Sequence, residues 1–253
     1  MRFLKLPSLY AGRGLRAYAA LGLGLSLAAC ATPTATPGAT PTPLIVSVAV
    51  RELTAPLLED LAAAYLTATV QTEPVSEVVL TAESVPPDFF ATPIGYVEFV
   101  VVVHPANPLT SLTLTQTRAI FTGQMADWAQ VSPGLSGWIQ VVSRETESDS
   151  VPALGQILGE PTFPTRTALV APAWAAMREA VSGDANRLGY LPRAELDSSV
   201  KALSIAGGLR ALIVAMSANE PTGPTRDFLV WAQSAAGQAV VAQKYIVLTT
   251  DHE

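Results

Sequence analysis

The stretch VEFVVVVHPANPLTSLTLTQTRAIFTGQMADW, residues 97–128, decides how the chain is read. With Tyr96 in front, its first part is an apolar, β-branched run to His104, suited to a central strand. Pro105 and Asn107-Pro108 close that run, because proline cannot continue a ladder. Thr113 and Gln116 then stand three apart ahead of Ile120-Phe121. That Thr-x-x-Gln spacing lets each residue satisfy a free backbone N–H of the other, and Gly123 fits the C-terminal cap. The stretch therefore predicts strand, turn and capped helix.

Working outward, the same grammar repeats. Residues 44–50, LIVSVAV, read as a buried strand, and 55–66 carry Leu57, Leu58, Leu61, Ala64 and Tyr65 at helical spacing behind Thr54 as N-cap. Residues 77–84 read as a strand. Downstream, strands are predicted at 138–143, 187–192, 200–205 and 245–248. Helices are predicted at 151–158, 173–183 and 225–244, the last with Gly237 as a break point. Alternating strands and helices predict an α/β fold with mainly parallel sheets, and no internal repeat stands out.

Composition limits the function. At 49% hydrophobic and 14% charged, the 253 residues can bury a sizeable core. Four of the 15 basic residues (Arg2, Lys5, Arg13 and Arg16) lie in the first 43 positions, which hold no Asp or Glu, so the remainder is near −10 rather than the formal −6. Nucleic-acid binding needs a basic face that releases counterions and is excluded as an expectation. An anionic ligand must be held by local dipoles against an unfavourable field.

The first 29 residues read as a signal peptide: basic residues, then the short apolar AYAALGLGLSLAAC. Leu27-Ala28-Ala29-Cys30 looks like a bacterial lipobox, with cleavage before Cys30 and acylation of that sole cysteine. Residues 30–43, rich in Thr, Pro and Ala, read as an extended tether. The expectation is a domain, 44–253, lipid-anchored at the extracytoplasmic face of a bacterial membrane.

Several stretches together resemble the periplasmic phosphate-binding lipoprotein family of ABC transporters. They are Asn107-Pro108, Leu114-Thr115, Ile120-Phe121-Thr122-Gly123 and Trp128 in the opening stretch, LGYLP at 188–192, and DFLVWAQSAAGQAVVAQKYIVL at 227–248. The resemblance implies a two-lobed type II fold with a hinge, one lobe from 44–95 and 196–253 and the other from 96–195. Ile120, Phe121, Trp128 and Phe228 are expected in the core rather than at the ligand.

Carried over residue by residue, the family's anion-binding elements fit unevenly. The third, Arg-x-x-x-Ser-Gly-Thr, matches VVSRETESDSVPAL (141–154) at Arg144, Ser148 and Ser150, with Asp149 in the glycine position. Arginine is suited to a two-pronged oxyanion contact. Asp149 either repels the ligand, caps the following helix or pairs with Arg144. The first element, Gly-Ser-Ser/Thr, is replaced by Val50-Arg51-Glu52-Leu53, with a hydroxyl only at Thr54. Arg51 supplies attraction there, and Glu52 opposes it. The second element is matched only loosely at Glu77-Val78-Val79, ending at Glu83-Ser84, and its Gly-rich lead-in is missing.

The resemblance thus implies a solute-binding lipoprotein that catches phosphate or another small oxyanion at Arg144, Ser148, Ser150, Thr54 and Arg51 and passes it to an ABC permease, without a cofactor or metal. The alternative is a non-transporting sensor or adaptor with the same fold and a degenerate pocket. An enzyme is not expected: His104 closes a strand, His252 lies at the end of the sequence, Glu147 and Asp149 sit on an acidic loop, and no nucleophile or phosphate-loop motif is present.

Overall fold

The apolar run at the centre of the sequence is also central in the sheet. A computed structural model describes residues 44–73, 76–159 and 163–248. The expected signal peptide, Cys30, the tether and His252 lie outside these residues. In chain order the elements are β1 (Ile45–Val50), α1 (Ala55–Ala64), β2 (Thr69–Thr72), β3 (Val78–Thr81), β4 (Phe90–Val103), β5 (Ser111–Leu112), α2 (Leu114–Phe121) and α3 (Trp128–Val131). They continue as β6 (Gln140–Arg144), α4 (Ser150–Leu158), β7 (Leu169–Ala171), α5 (Trp174–Ser182), β8 (Arg187–Pro192), β9 (Lys201–Ile205), β10 (Leu209–Ser217), α6 (Gly223–Gln233) and α7 (Ala235–Val241).

The sheet runs β2-β1-β3-β10-β4-β8-β6-β7, with β9 paired to both β4 and β5. Its flanks are parallel (β1 with β2 and β3, β6 with β7 and β8), whereas β10 runs antiparallel to β3 and β4, and β4 antiparallel to β8 and β9. The sheet is therefore mixed, with an antiparallel centre in place of the mainly parallel arrangement expected. This is the two-lobed architecture: β4, 14 residues long, is shared between a half built on β1–β3 and a half built on β6–β8. Helices α1, α6 and α7 pack on the first half, α5 on β6–β8, and α4 against both β6 and β10. Residues 201–205 pair with β4 and β5, which places them beside the 96–195 segment rather than with the chain that follows.

The structure differs from the sequence reading at several elements. β10 is not among the expected strands: LRALIVAMS mixes Leu, Ala and Met with the β-branched Ile213 and Val214, and pairing on both sides makes it a strand. β4 begins at Phe90 rather than 96, passing through Pro93, and the register with β10 slips between Ile213 and Val214 just opposite. A residue with no N–H to donate is accommodated at such a bulge. The long C-terminal helix breaks at Ser234, not at Gly237: the Ser234 hydroxyl donates to the Trp231 carbonyl at 2.6 Å, and the chain restarts as α7. The expected strand at 245–248 reduces to one bridge, Tyr96 with Ile246.

Other expectations hold. The Thr113–Gln116 capping box is formed in both directions, and Gly123 follows the helix at φ +79°, a conformation a side chain disfavours. Ile120, Phe121, Trp128 and Phe228 are buried. Phe99, Phe121, Phe163 and Trp174 ring Tyr190 at centroid distances of 5.8–6.1 Å. No described helix is long and apolar enough to cross a membrane.

Candidate functional site

Strands β1 and β6 both end, at their carboxyl ends, in short turns leading to a helix, the place where open α/β folds bind ligands. The two turns meet. Arg144, the last residue of β6, is 5% exposed. Its Nη1 donates to the carbonyl of Ala171 at the end of β7 (2.5 Å), and its Nη2 to Glu52 Oε1 on the β1 turn (2.5 Å). The guanidinium lies 4.8 Å from the centre of the Trp174 ring, a cation–π contact. Ser148 donates to the other Glu52 oxygen at 3.0 Å and shares a hydrogen bond with Ser150 at 2.9 Å. Ser150 in turn meets the Tyr190 hydroxyl at 3.3 Å. Burial pushes the Tyr190 phenol up, so it stays neutral and able to donate. The result is a cradle in which one guanidinium and the Ser148 hydroxyl, backed by Ser150, hold the two oxygens of one carboxylate.

Asp149 does something else. Its carboxylate neither caps α4 nor pairs with Arg144; Oδ2 accepts the Leu53 N–H, just before α1, at 3.1 Å. Oδ1 is buried with no hydrogen-bond partner among the described residues, and the same is true of Arg144 Nε. Burial is the main reason the Asp149 carboxyl is pushed up to about 6; the Leu53 N–H works against it, Glu52 and Glu83 reinforce it, and Arg51 opposes it. The unfolded chain, with the ordinary value of 3.8, loses this proton first as pH rises. Stability is therefore unpenalised below that value, falls as pH rises toward about 6, and carries the full cost, about 2–3 kcal/mol, above it. Asp149→Asn keeps an oxygen for Leu53. It should raise the urea midpoint at pH 7.5 by the equivalent of about 2 kcal/mol and leave it nearly unchanged at pH 3.5.

Of the residues the sequence singled out, the structure brings Arg144, Ser148 and Ser150 together. Thr54 does not join them: its buried hydroxyl donates to the Leu80 carbonyl at 2.7 Å, tying the turn to β3, and makes no side-chain cap. Arg51 is largely exposed, with its guanidinium 4.0 Å from Glu83. No local pattern in the sequence marks Tyr190, Trp174 or the Ala171 carbonyl as parts of the cradle. A cavity of about 300 Å³ lies between α4 and β10, lined among others by Glu83, Ser84, Gln156 and Arg210, at the small end of the usual ligand-pocket range. Among the described residues no group of three or more His, Cys, Asp or Glu is placed to hold a metal ion.

Comparison with known proteins agrees with this fold. A family model described as PBP superfamily domain matches residues 59–223, more than half of the chain. No curated protein is significantly similar to it in sequence. Among solved structures, an ABC-type phosphate transport receptor from Vibrio cholerae is similar over 81% of this chain and 100% of its own, with a TM-score of 0.71 and 19% identity. A putative phosphate ABC transporter substrate-binding protein from Clostridium perfringens, with bound phosphate, matches with the same coverage at a TM-score of 0.69 and 22% identity. PstS from Borrelia burgdorferi matches 82% of this chain and 100% of its own at a TM-score of 0.61 and 16% identity. At these identities the likeness is one of fold.

Proposed function

The chain belongs to the PBP superfamily, and from that membership we propose that it is the extracytoplasmic solute receptor of an ABC transporter, anchored through Cys30. It holds a small oxyanion between lobes approximating 44–95 with 196–253 and 96–195, and presents it to a permease by hinge closure. The observation that carries this reading is the convergence of Arg144 and Ser148 on a single two-oxygen anion, with Ser150 bonded to Ser148 behind it, at the strand ends where the two halves meet. The phosphate transport receptor and the putative phosphate substrate-binding protein with the same fold support it. Thr54 and Arg51 hold and flank the β1 turn in this reading and do not touch the solute.

Thermal unfolding of the purified protein tests it against phosphate, sulfate and small carboxylates. A ligand at 100 times its Kd adds about 2.7 kcal/mol, a rise of roughly 5–10 °C for a domain this size. Arg144→Ala should abolish the increment. One observation favours a second reading, a non-transporting sensor or adaptor: Glu52 and Asp149 already take donors that a free anion would use. A flat response to the whole panel supports that reading and sinks the first.

A further inference from the structure

We propose that Glu52 is a built-in ligand of the cradle, a tethered carboxylate in the solute position, and that the free solute displacing it is a small monocarboxylate rather than phosphate. The inference rests on reading Arg144, Ser148 and Ser150 as the solute site, and it names the chemistry of that site. Glu52 is bound as a ligand would be. Each of its oxygens has one donor, Arg144 Nη2 at 2.5 Å and Ser148 Oγ at 3.0 Å, and the two donors come from the turn opposite its own, 92 and 96 residues away. Arg144 is almost wholly buried while the Glu52 side chain is 37% exposed. The cradle is thus the fixed partner, and Glu52 the one with an open path out to water.

The donor count selects the ligand. Two oxygens are served, and apart from the buried Arg144 Nε, which has no partner among the described residues, the neighbouring side-chain donors are committed elsewhere. Arg144 Nη1 is on the Ala171 carbonyl, the Leu53 N–H is on Asp149, and the Ser150 hydroxyl is shared between Ser148 and Tyr190. A tetrahedral dianion would arrive with two further oxygens and at most the Arg144 Nε–H for them, and leaving charged oxygens unpaired in a half-buried site is costly. It would also bring a second negative charge beside Asp149 and Glu83 and next to the displaced Glu52. A monocarboxylate replaces Glu52 oxygen for oxygen and charge for charge.

A tethered competitor acts at an effective concentration in the millimolar range or above, so it weakens the apparent affinity of any free ligand for the same donors. Titration calorimetry of the purified wild type, Glu52→Ala and Glu52→Gln with acetate, propionate and phosphate tests this. Glu52→Ala should bind acetate or propionate about tenfold or more tighter than the wild type, and adding Arg144→Ala should remove the gain. Glu52→Gln keeps the shape without the charge, so it remains informative should the alanine variant fail to fold; it should bind acetate several-fold tighter than the wild type. Unchanged or weaker carboxylate binding in both variants, with the wild type still binding a solute of the panel, overturns the built-in ligand and leaves the receptor reading standing. A gain larger for phosphate than for acetate overturns the carboxylate assignment. No binding by the wild type or either variant overturns both.

Discussion

Arg144→Ala should destabilise the protein by about 3–5 kcal/mol, the range seen when one partner of a buried charged network is removed. The ion pair itself is not the main source. Glu52 is 37% exposed and can return to water, so its share is discounted toward that of a surface pair. The larger costs are beneath it. The Ala171 carbonyl loses a charged donor, the Trp174 ring loses the guanidinium 4.8 Å from its centre, and truncation leaves a hole under a 5% exposed side chain. Arg144→Lys should recover little, because one ammonium cannot serve Ala171 and Glu52 together while lying flat against a ring. Arg144→Met should recover part of the loss by refilling the space. Urea unfolding followed by circular dichroism reads all three; an alanine variant within about 0.5 kcal/mol of wild type would show that the guanidinium is not structurally committed.

Gly237→Ala should cost at least as much, and for a reason unrelated to ligand. A Cβ built there would stand 2.4 Å from the Trp231 carbonyl oxygen and 2.5 Å from the Cα and carbonyl oxygen of Ala232. These are backbone atoms at the end of α6, fixed because Trp231 accepts the Ser234 hydroxyl and Ala232 accepts the Gln238 amide. No rotamer change relieves the clash, so the α6–α7 corner must open. Because α7 packs on α1 and β4, the opening propagates into the first half of the sheet. Overpacking typically costs 1–3 kcal/mol, and a backbone clash of this depth should exceed about 3, or roughly 6–12 °C in Tm. A melting temperature within about 2 °C of wild type would contradict the packing described at this corner.

The contrast between these residues shows what the sequence made legible. Features encoded over three to ten residues were readable: the Thr113–Gln116 box, the buried Ile120 and Phe121, and the Arg-x-x-x-Ser spacing that pointed to Arg144 and Ser148. Features decided by partners far along the chain were not. β10 exists because β3 and β4 flank it, and its own composition is mixed. Asp149 looked like a helix cap, repulsive residue or Arg144 partner; its actual partner, the Leu53 N–H, is 96 residues away. Glu52 reads only as a charge opposing an anion site, whereas the fold sets its carboxylate between Arg144 and Ser148, 92 and 96 residues away. Thr54 has the right side chain for a cap but spends its hydroxyl on Leu80, across to the neighbouring strand.

The most direct test of the account is a crystal structure of the protein grown with saturating acetate or propionate. The added carboxylate should lie between Arg144 and Ser148, with the Glu52 side chain turned out to solvent and the Asp149–Leu53 contact intact. An unchanged Arg144–Glu52 pair with the ligand bound elsewhere would contradict it.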